Sequence, residues 1–375
     1  MRSIRMRLRR EMGKEKKSFG KWLAEAWSGY SFIFVFFIIM AIYVITVHNQ
    51  GYSFSWDYIS AILSSTSGAV VGIIALGMAL IVITGQIDLS VGATLVLVGG
   101  FATVVYNATG NLFLTILFAI AAGGVCGLLN GMMVGYAKMP PFVATLGTML
   151  IYRSVAEFVV TKIDVALTGS SYKFQIGTDY PNYNLIRTIG TGRIRLFGSS
   201  ITLPIVTIVF VILLLLVIYI STCTKYGKQV YAVGSNEKSA HLAGINTDRI
   251  KVSVYVICGM LTGIASLIQA WKNSSITPSS SGLSYEMYAI AAVVLGGVNM
   301  NGGRGKIIGI FFGALSYSTV DKIISASNLD IYIQDAFQGM VLILVVIIQT
   351  LGPVLSAKVK AYKTAKLNAM LEEKK

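Results

Sequence analysis

The run ITLPIVTIVFVILLLLVIYI, residues 201–220, contains no charged side chain. Wound as an α-helix, a run of about 20 residues reaches about 30 Å, the thickness of a bilayer's hydrocarbon core. A second such run, VSVYVICGMLTGIASLIQAW, follows at 252–271. Between them lies YAVGSNEKSAHLAGI, 231–245, a short polar stretch with glycines near both ends. Working outward, about ten apolar segments are read along the chain. They fall near 30–47, 59–84, 91–107, 112–136, 142–161, 201–222, 252–271, 286–298, 305–325 and 335–352, with 286–298 short for a full crossing. A β-barrel would instead give ~10-residue alternating segments, and these are absent from the sequence. The expected fold is all-α, a polytopic membrane protein of about ten transmembrane helices.

Composition agrees. Of 375 residues, 55% are hydrophobic and 13% charged, and the mean hydropathy is +0.71. Soluble domains carry about 25% charged residues. The formal charge of +15 would suggest nucleic acid on a soluble protein. Here the basic residues crowd the ends of the chain, MRSIRMRLRREMGKEKKSFGK at the start and Lys358, Lys360, Lys363, Lys366, Lys374 and Lys375 in the tail. Positive charge flanking spans marks the cytoplasmic side. Both termini are therefore expected inside, with lipid rather than nucleic acid as the surrounding partner. The apolar stretch 31–47 is long and no small-residue cleavage site follows it, so it is read as a first span rather than a signal peptide. The expected organisation is a basic cytoplasmic segment 1–29, a transmembrane domain 30–352 and a basic tail 353–375.

Two connections are long. The 162–200 connection falls outside by the span count, although Arg187, Arg193 and Arg195 cut against the charge rule there. Its RIRLFG before ITLP reads as a short strand or turn. The 223–251 connection falls inside and holds the polar stretch. In that stretch Ser235 or Asn236 suits an N-cap, Glu237 the positive end of the helix dipole, and Gly244 a left-handed exit. The implied helix, 236–243, is too short to stand alone in water, so it must dock on something, either a cytoplasmic partner or its own membrane domain.

The glycines cluster inside spans, in VLVGGF, GGVCGLLNG and GGVNMNGGRG. Small residues let membrane helices approach closely; they also permit broken helices along a transport path. Residues 74–98 and 289–313 each place an apolar helix, a polar glycine-rich break and a second apolar helix, a faint internal likeness. Asp88 sits at the first break, placed either to cap a helix starting near Leu89 or Ser90 or to line a path, since a bare carboxylate in the membrane is costly. Asn130, Thr145 and Thr148 are neutral polar residues within spans, suited to lining a passage or to ordinary interhelical hydrogen bonds. Pro140 and Pro141 enforce a turn. Cys126, Cys223 and Cys258 form neither a disulfide framework nor a metal spacing. No G-x-x-x-x-G-K-[ST] occurs, so the chain has no phosphate cradle of its own, and no catalytic or metal-binding constellation is present.

The polar stretch 231–245 resembles the coupling-helix motif of ABC importer permeases, and more narrowly that of the ribose-type sugar permeases. GQIDLSVGA (85–93), GLLNG (127–131), MPPFVATLGTM (139–149) and YEMYAIAAVVLGGVNMNGGRGKIIG (285–309) resemble further family blocks in order. The resemblance implies a type II-like permease that homodimerises in the bacterial cytoplasmic membrane. It implies an ATP-binding subunit, often a tandem fusion, which carries the ATP and Mg while this chain binds no cofactor. It also implies an extracytoplasmic sugar-binding protein that delivers a small neutral sugar. Gly234, Asn236, Glu237, Ala240, Gly244 and Ile245 are expected at the ATPase contact. Asp88, Ser90, Asn130, Thr145, Asn301 and Arg304 are expected along the translocation path or gate. A nucleoside or autoinducer-like furanosyl solute is an alternative cargo, and an ion-coupled secondary transporter an alternative class. Few ionisable residues lie mid-span, which disfavours the latter.

Overall fold

A computed structural model describes residues 19–51, 66–180, 182–195 and 202–326, with single positions at 55, 58 and 62 and between 333 and 347, and side chains from residue 32 onward. The expected tail, most of the 335–352 span, Asp335, Gln338 and most of the basic 1–29 segment lie outside the described residues.

Helix α1 (Phe19–Asn49) begins the described chain. A π-helical turn at Thr66–Val70 leads into α2 (Val71–Ile83), in which every residue is buried. A helix apolar on all sides belongs in an interior. After a break at 84–90 come α3 (Val91–Thr109), α4 (Leu112–Gly135) and α5 (Pro141–Lys162). Pro140 and Pro141 stand at the N-cap and first turn of α5, where a missing N–H costs nothing. A short α6 (Val165–Thr168), strand β1 (Phe174–Gln175) and α7 (Tyr183–Thr191) follow. Strands β2 (Arg193–Arg195) and β3 (Thr202–Pro204) pair antiparallel, the turn-like element expected before the 201–220 run. Then come α8 (Ile205–Cys223), α9 (Lys225–Ser235), α10 (Glu237–Leu242) and α11 (Thr247–Asn273). Strand β4 (Ser275–Ile276), α12 (Tyr285–Leu295) and α13 (Ile308–Ala326) complete the described elements. Gln50 beyond α1 donates to the carbonyl of Ala326 at the end of α13.

The most closely packed helix pair is α4–α11. Gly123, Gly127, Gly131 and Gly135 of α4 recur every fourth residue and face α11. A Cβ at Gly127 would run into the Tyr255 carbonyl, and one at Gly123 into the Gly259 carbonyl. Close backbone approach through small residues supplies the dispersion contact that drives helix association in lipid. The clustered glycines of GGVCGLLNG therefore serve packing, whereas those near 85 and 302 serve breaks.

One end of the bundle carries α9, α10 and the start of α11. There Lys138, in the turn between α4 and α5, pairs with Asp248. The opposite end carries residues 163–180, 182–195 and 202–204. Here β1 pairs with β4, Phe174 opposite Ile276, and Asn107 donates to the carbonyls of Leu167 (2.7 Å) and Gln175 (2.9 Å). Arg187 donates to the Lys272 carbonyl (3.0 Å) and the Ser274 hydroxyl (2.9 Å).

Three expectations are refined by the described residues. The count of ten spans is not reached among the described residues. Among them, six helices are long and apolar enough to cross a membrane. The α2 and α12 helices are shorter, because polar breaks stop them at Ile83 and Leu295. Second, the 223–251 connection is not an isolated small helix in a loop. A full helix, α9, abuts it, because Thr224 caps Gly227 N–H at 3.1 Å and starts a new helical run at once. Third, the helix after Asp88 starts at Val91 with Ser90 as its N-cap, within a residue of the expected start.

Candidate transport and coupling site

Asp88 lies in the break between α2 and α3 and is 3% exposed. Its Oδ1 accepts from the Ser90 amide (2.8 Å) and the Ser90 hydroxyl (2.7 Å). Asn130 of α4 donates from Nδ2 to Ser90 Oγ (2.7 Å), and Thr148 of α5 donates to Asn130 Oδ1 (2.8 Å). Three helices are thereby joined by one directed chain of hydrogen bonds ending on a carboxylate. Among the described residues no Lys or Arg pairs with it. Its partners are neutral hydrogen-bond donors, which a buried carboxyl group needs. From the other side the Tyr255 hydroxyl donates to the Ile87 carbonyl at 2.9 Å. Thr145 stays out of the chain: its hydroxyl returns to the Pro141 carbonyl of its own helix (2.8 Å). Asp88, Ser90, Asn130 and Thr145 are all enclosed by protein within this one chain.

Asn301 and Arg304 sit elsewhere, exposed on the break between α12 and α13. That break is a tight turn in which Asn299 N–H donates to the Arg304 carbonyl (2.9 Å) and Gly302 and Gly303 take φ of +82° and +70°. It packs on the first break: Gly303 N–H donates to the Ile83 carbonyl at 2.8 Å. The faint likeness of 74–98 to 289–313 is thus a structural one, helix–break–helix in each, with the two breaks in contact. A third element closes the joint. Gly234, in the last turn of α9, lies so close to the Ile83 carbonyl that a Cβ there would overlap it. Tyr231, one turn earlier, donates its hydroxyl to the Gly305 carbonyl at 2.8 Å. Burial pushes the Tyr231 phenol above its ordinary pKa. Helix α9 thus covers both breaks.

Directly after the joint, Asn236 turns the chain. It caps α10, its Oδ1 accepting from Ser239 N–H at 2.9 Å. At the other end Gly244, φ +83°, donates to the His241 carbonyl, and Ile245 N–H donates to Ala240 (3.1 Å). These are the two bonds of a Schellman exit. Ala240 is buried and Ile245 half-buried, whereas Asn236 and Gly244 are exposed. Glu237 meets Lys251 of α11 at 2.7 Å. Leu242 is 87% exposed, more than any other large apolar side chain among the described residues. Sequence reasoning passed over Leu242, Lys251 and Tyr231. A lone leucine in a polar six-residue helix was a readable sign, because the apolar face of so short a helix must be covered by something. Lys251 and Tyr231 could be placed only by their distant partners. Among the described residues no group of His, Cys, Asp or Glu could hold a metal ion.

Membrane-length helices, two interlocked helix breaks and a polar helix projecting from them define a membrane transport permease. Residues 58–346 match the family described as "Branched-chain amino acid transport system / permease component", and the chain belongs to it. It is similar to the ribose import permease protein RbsC of Haemophilus influenzae, with 34% identity over 83% of this chain and 90% of that one. The ribose import permease protein RbsC of Escherichia coli strain K12 is 35% identical over 76% and 84% respectively. The xylose transport system permease protein XylH of Haemophilus influenzae is 31% identical over 84% and 96%. No solved structure matches.

Proposed function

We propose that this chain is the membrane-spanning subunit of an ATP-driven importer for a small neutral sugar of the ribose or xylose kind. ATP is hydrolysed on a separate, tandem-type ATP-binding subunit, and an extracytoplasmic binding protein delivers the sugar. Two copies of the permease form the working unit in the bacterial cytoplasmic membrane, with α10 and both termini on the cytoplasmic side. The observation that carries the reading is the position of α10. It leaves the joint of the two helix breaks through Gly234 and Ser235 and ends on an almost fully exposed leucine. A partner that grips Leu242 and the caps of α10 thereby holds a lever attached to both broken helices. Closure of the ATP-binding subunit would pull or push that lever. The ribose and xylose relatives support the cargo class.

The test is uptake. In a host lacking its own pentose importers, the permease is expressed with a cognate ATP-binding subunit and binding protein. Radiolabelled ribose and xylose are supplied in turn. ATP-dependent accumulation of either supports the reading. Accumulation that survives an inactive ATP-binding subunit, or that follows an ion gradient, overturns it.

A further inference from the structure

Helix α5 carries charge at a depth where lipid cannot accept it. Its 22 residues span about 33 Å at 1.5 Å per residue, so Arg153 lies near mid-membrane. Its guanidinium donates to the carbonyls of Pro278 and Ser281, the latter at 3.2 and 3.3 Å. The carboxylates whose charge reaches it are Glu157, one turn on, and Glu286 at the start of α12. Glu286 in turn sits against Gly92, in the first turn of α3.

From Ile151 on, the exposed surface of α5 divides into two edges, whereas in its first half Val143 and Leu150 are exposed on the stripe that Ser154 and Glu157 continue. Ile151, Val155 and Phe158 form an apolar edge at helical spacing, all exposed. Arg153 (half-buried), Ser154 and Glu157 (both exposed) form a polar edge beside it. Hydrocarbon suits the first edge. A charged residue at this depth must face the bundle interior or a water-filled cavity. The chain opposite the polar edge gives a second, independent indication. Residues 277–284 are non-helical, with Ser284 at φ +61° and exposed Ser279 and Ser280. Irregular backbone at membrane depth persists where it is buried in protein or lines a cavity, and these serines are not buried.

We propose that the Arg153–Ser154–Glu157 edge of α5 and the facing 278–286 segment are the water-filled wall of the translocation path. Arg153 pins the segment through its carbonyls. Serine hydroxyls, carbonyl lone pairs and the flanking carboxylates then offer donors and acceptors to the hydroxyls of a neutral polyhydroxylated solute. The choice of solute rests on the sugar reading above; the location of the path does not. The Asp88–Ser90–Asn130–Thr148 chain, enclosed by protein, is a brace beside the path rather than its lining.

The experiment uses the assembled transporter in membranes, with Cys126, Cys223 and Cys258 replaced by serine or alanine and uptake checked. Single cysteines are placed by Ser154→Cys and Glu157→Cys on the polar edge and by Ile151→Cys and Val155→Cys on the apolar edge. A charged, water-soluble methanethiosulfonate should modify the first pair at least about tenfold faster, since reaction needs a solvated thiolate. Modification at Ser154→Cys should also stop uptake of labelled pentose, and Val155→Trp should leave it intact where Ser154→Trp abolishes it. Equal, slow modification at both edges, as when a second copy buries the polar edge, overturns the proposal. A wild-type transporter that accumulates no pentose defeats the sugar reading, and the labelling rates still decide the path.

Discussion

The amide of Gly303 donates to the carbonyl of Ile83 across 2.8 Å. Ile83 has no N–H four residues on to satisfy it, because α2 ends there; the next break supplies one instead. Gly234 packs against the same carbonyl. Gly234→Ala should therefore force the joint apart at an overpacking cost of about 1–3 kcal/mol. The expected outcome is a permease that inserts and still retains the ATP-binding subunit in a pull-down, with uptake strongly reduced. Wild-type uptake would show that the joint carries no motion.

Tyr231→Phe removes only the hydroxyl bonded to Gly305. A net contribution of about 0.5–1.5 kcal/mol is at stake. Uptake should fall severalfold while the ATP-binding subunit remains bound, a milder version of the Gly234 result.

Leu242 at 87% exposure is expected to be buried in the ATP-binding subunit. Covering a leucine is worth about 1.5–3 kcal/mol. Leu242→Ala should weaken co-purification in detergent, and Leu242→Asp should abolish it, with the melting temperature of the permease alone unchanged. Undiminished retention with Leu242→Asp would place the contact elsewhere.

The caps of α10 separate charge from shape. Glu237 is 46% exposed in its pair with Lys251, and such pairs contribute about 0–1 kcal/mol. Glu237→Ala should weaken coupling only slightly. At Gly244 nothing lies within 4 Å of the place a Cβ would take, so a substitution there meets strain from φ +83° alone. A left-handed non-glycine costs about 1–2 kcal/mol, and more for a β-branched residue. Gly244→Val should lose the ATP-binding subunit and uptake together, and Gly244→Asn should retain most of both.

Asp88→Leu deprives the Ser90 amide and hydroxyl of their acceptor. Leaving buried donors unsatisfied costs about 1–3 kcal/mol. Yield of folded protein and uptake should both drop, and Asp88→Asn, which keeps one acceptor oxygen, should be milder. Normal behaviour of the leucine variant would remove Asp88 from the brace.

The sequence by itself determined the helical membrane class, because 20-residue runs without charge have one stable use. It also determined α10, since Asn236 and Gly244 are local signals whose hydrogen bonds close within a few residues. The helix–break–helix pattern at 85 and 302 was legible as a pattern. What only the tertiary structure decided is which distant groups meet. Asn130 and Thr148 are far from Ser90 along the chain, and nothing local marks them as one hydrogen-bonded line. The contact of Gly303 and Gly234 at Ile83 depends on backbone atoms, which carry no side-chain signature. The polar edge in the second half of α5 is periodic and could be read, but its contact with the 278–286 segment depends on that segment folding back to Arg153. Local hydrogen bonds and hydropathy are written in neighbouring residues; close packing of backbones and long-range donors are set only when the whole bundle closes.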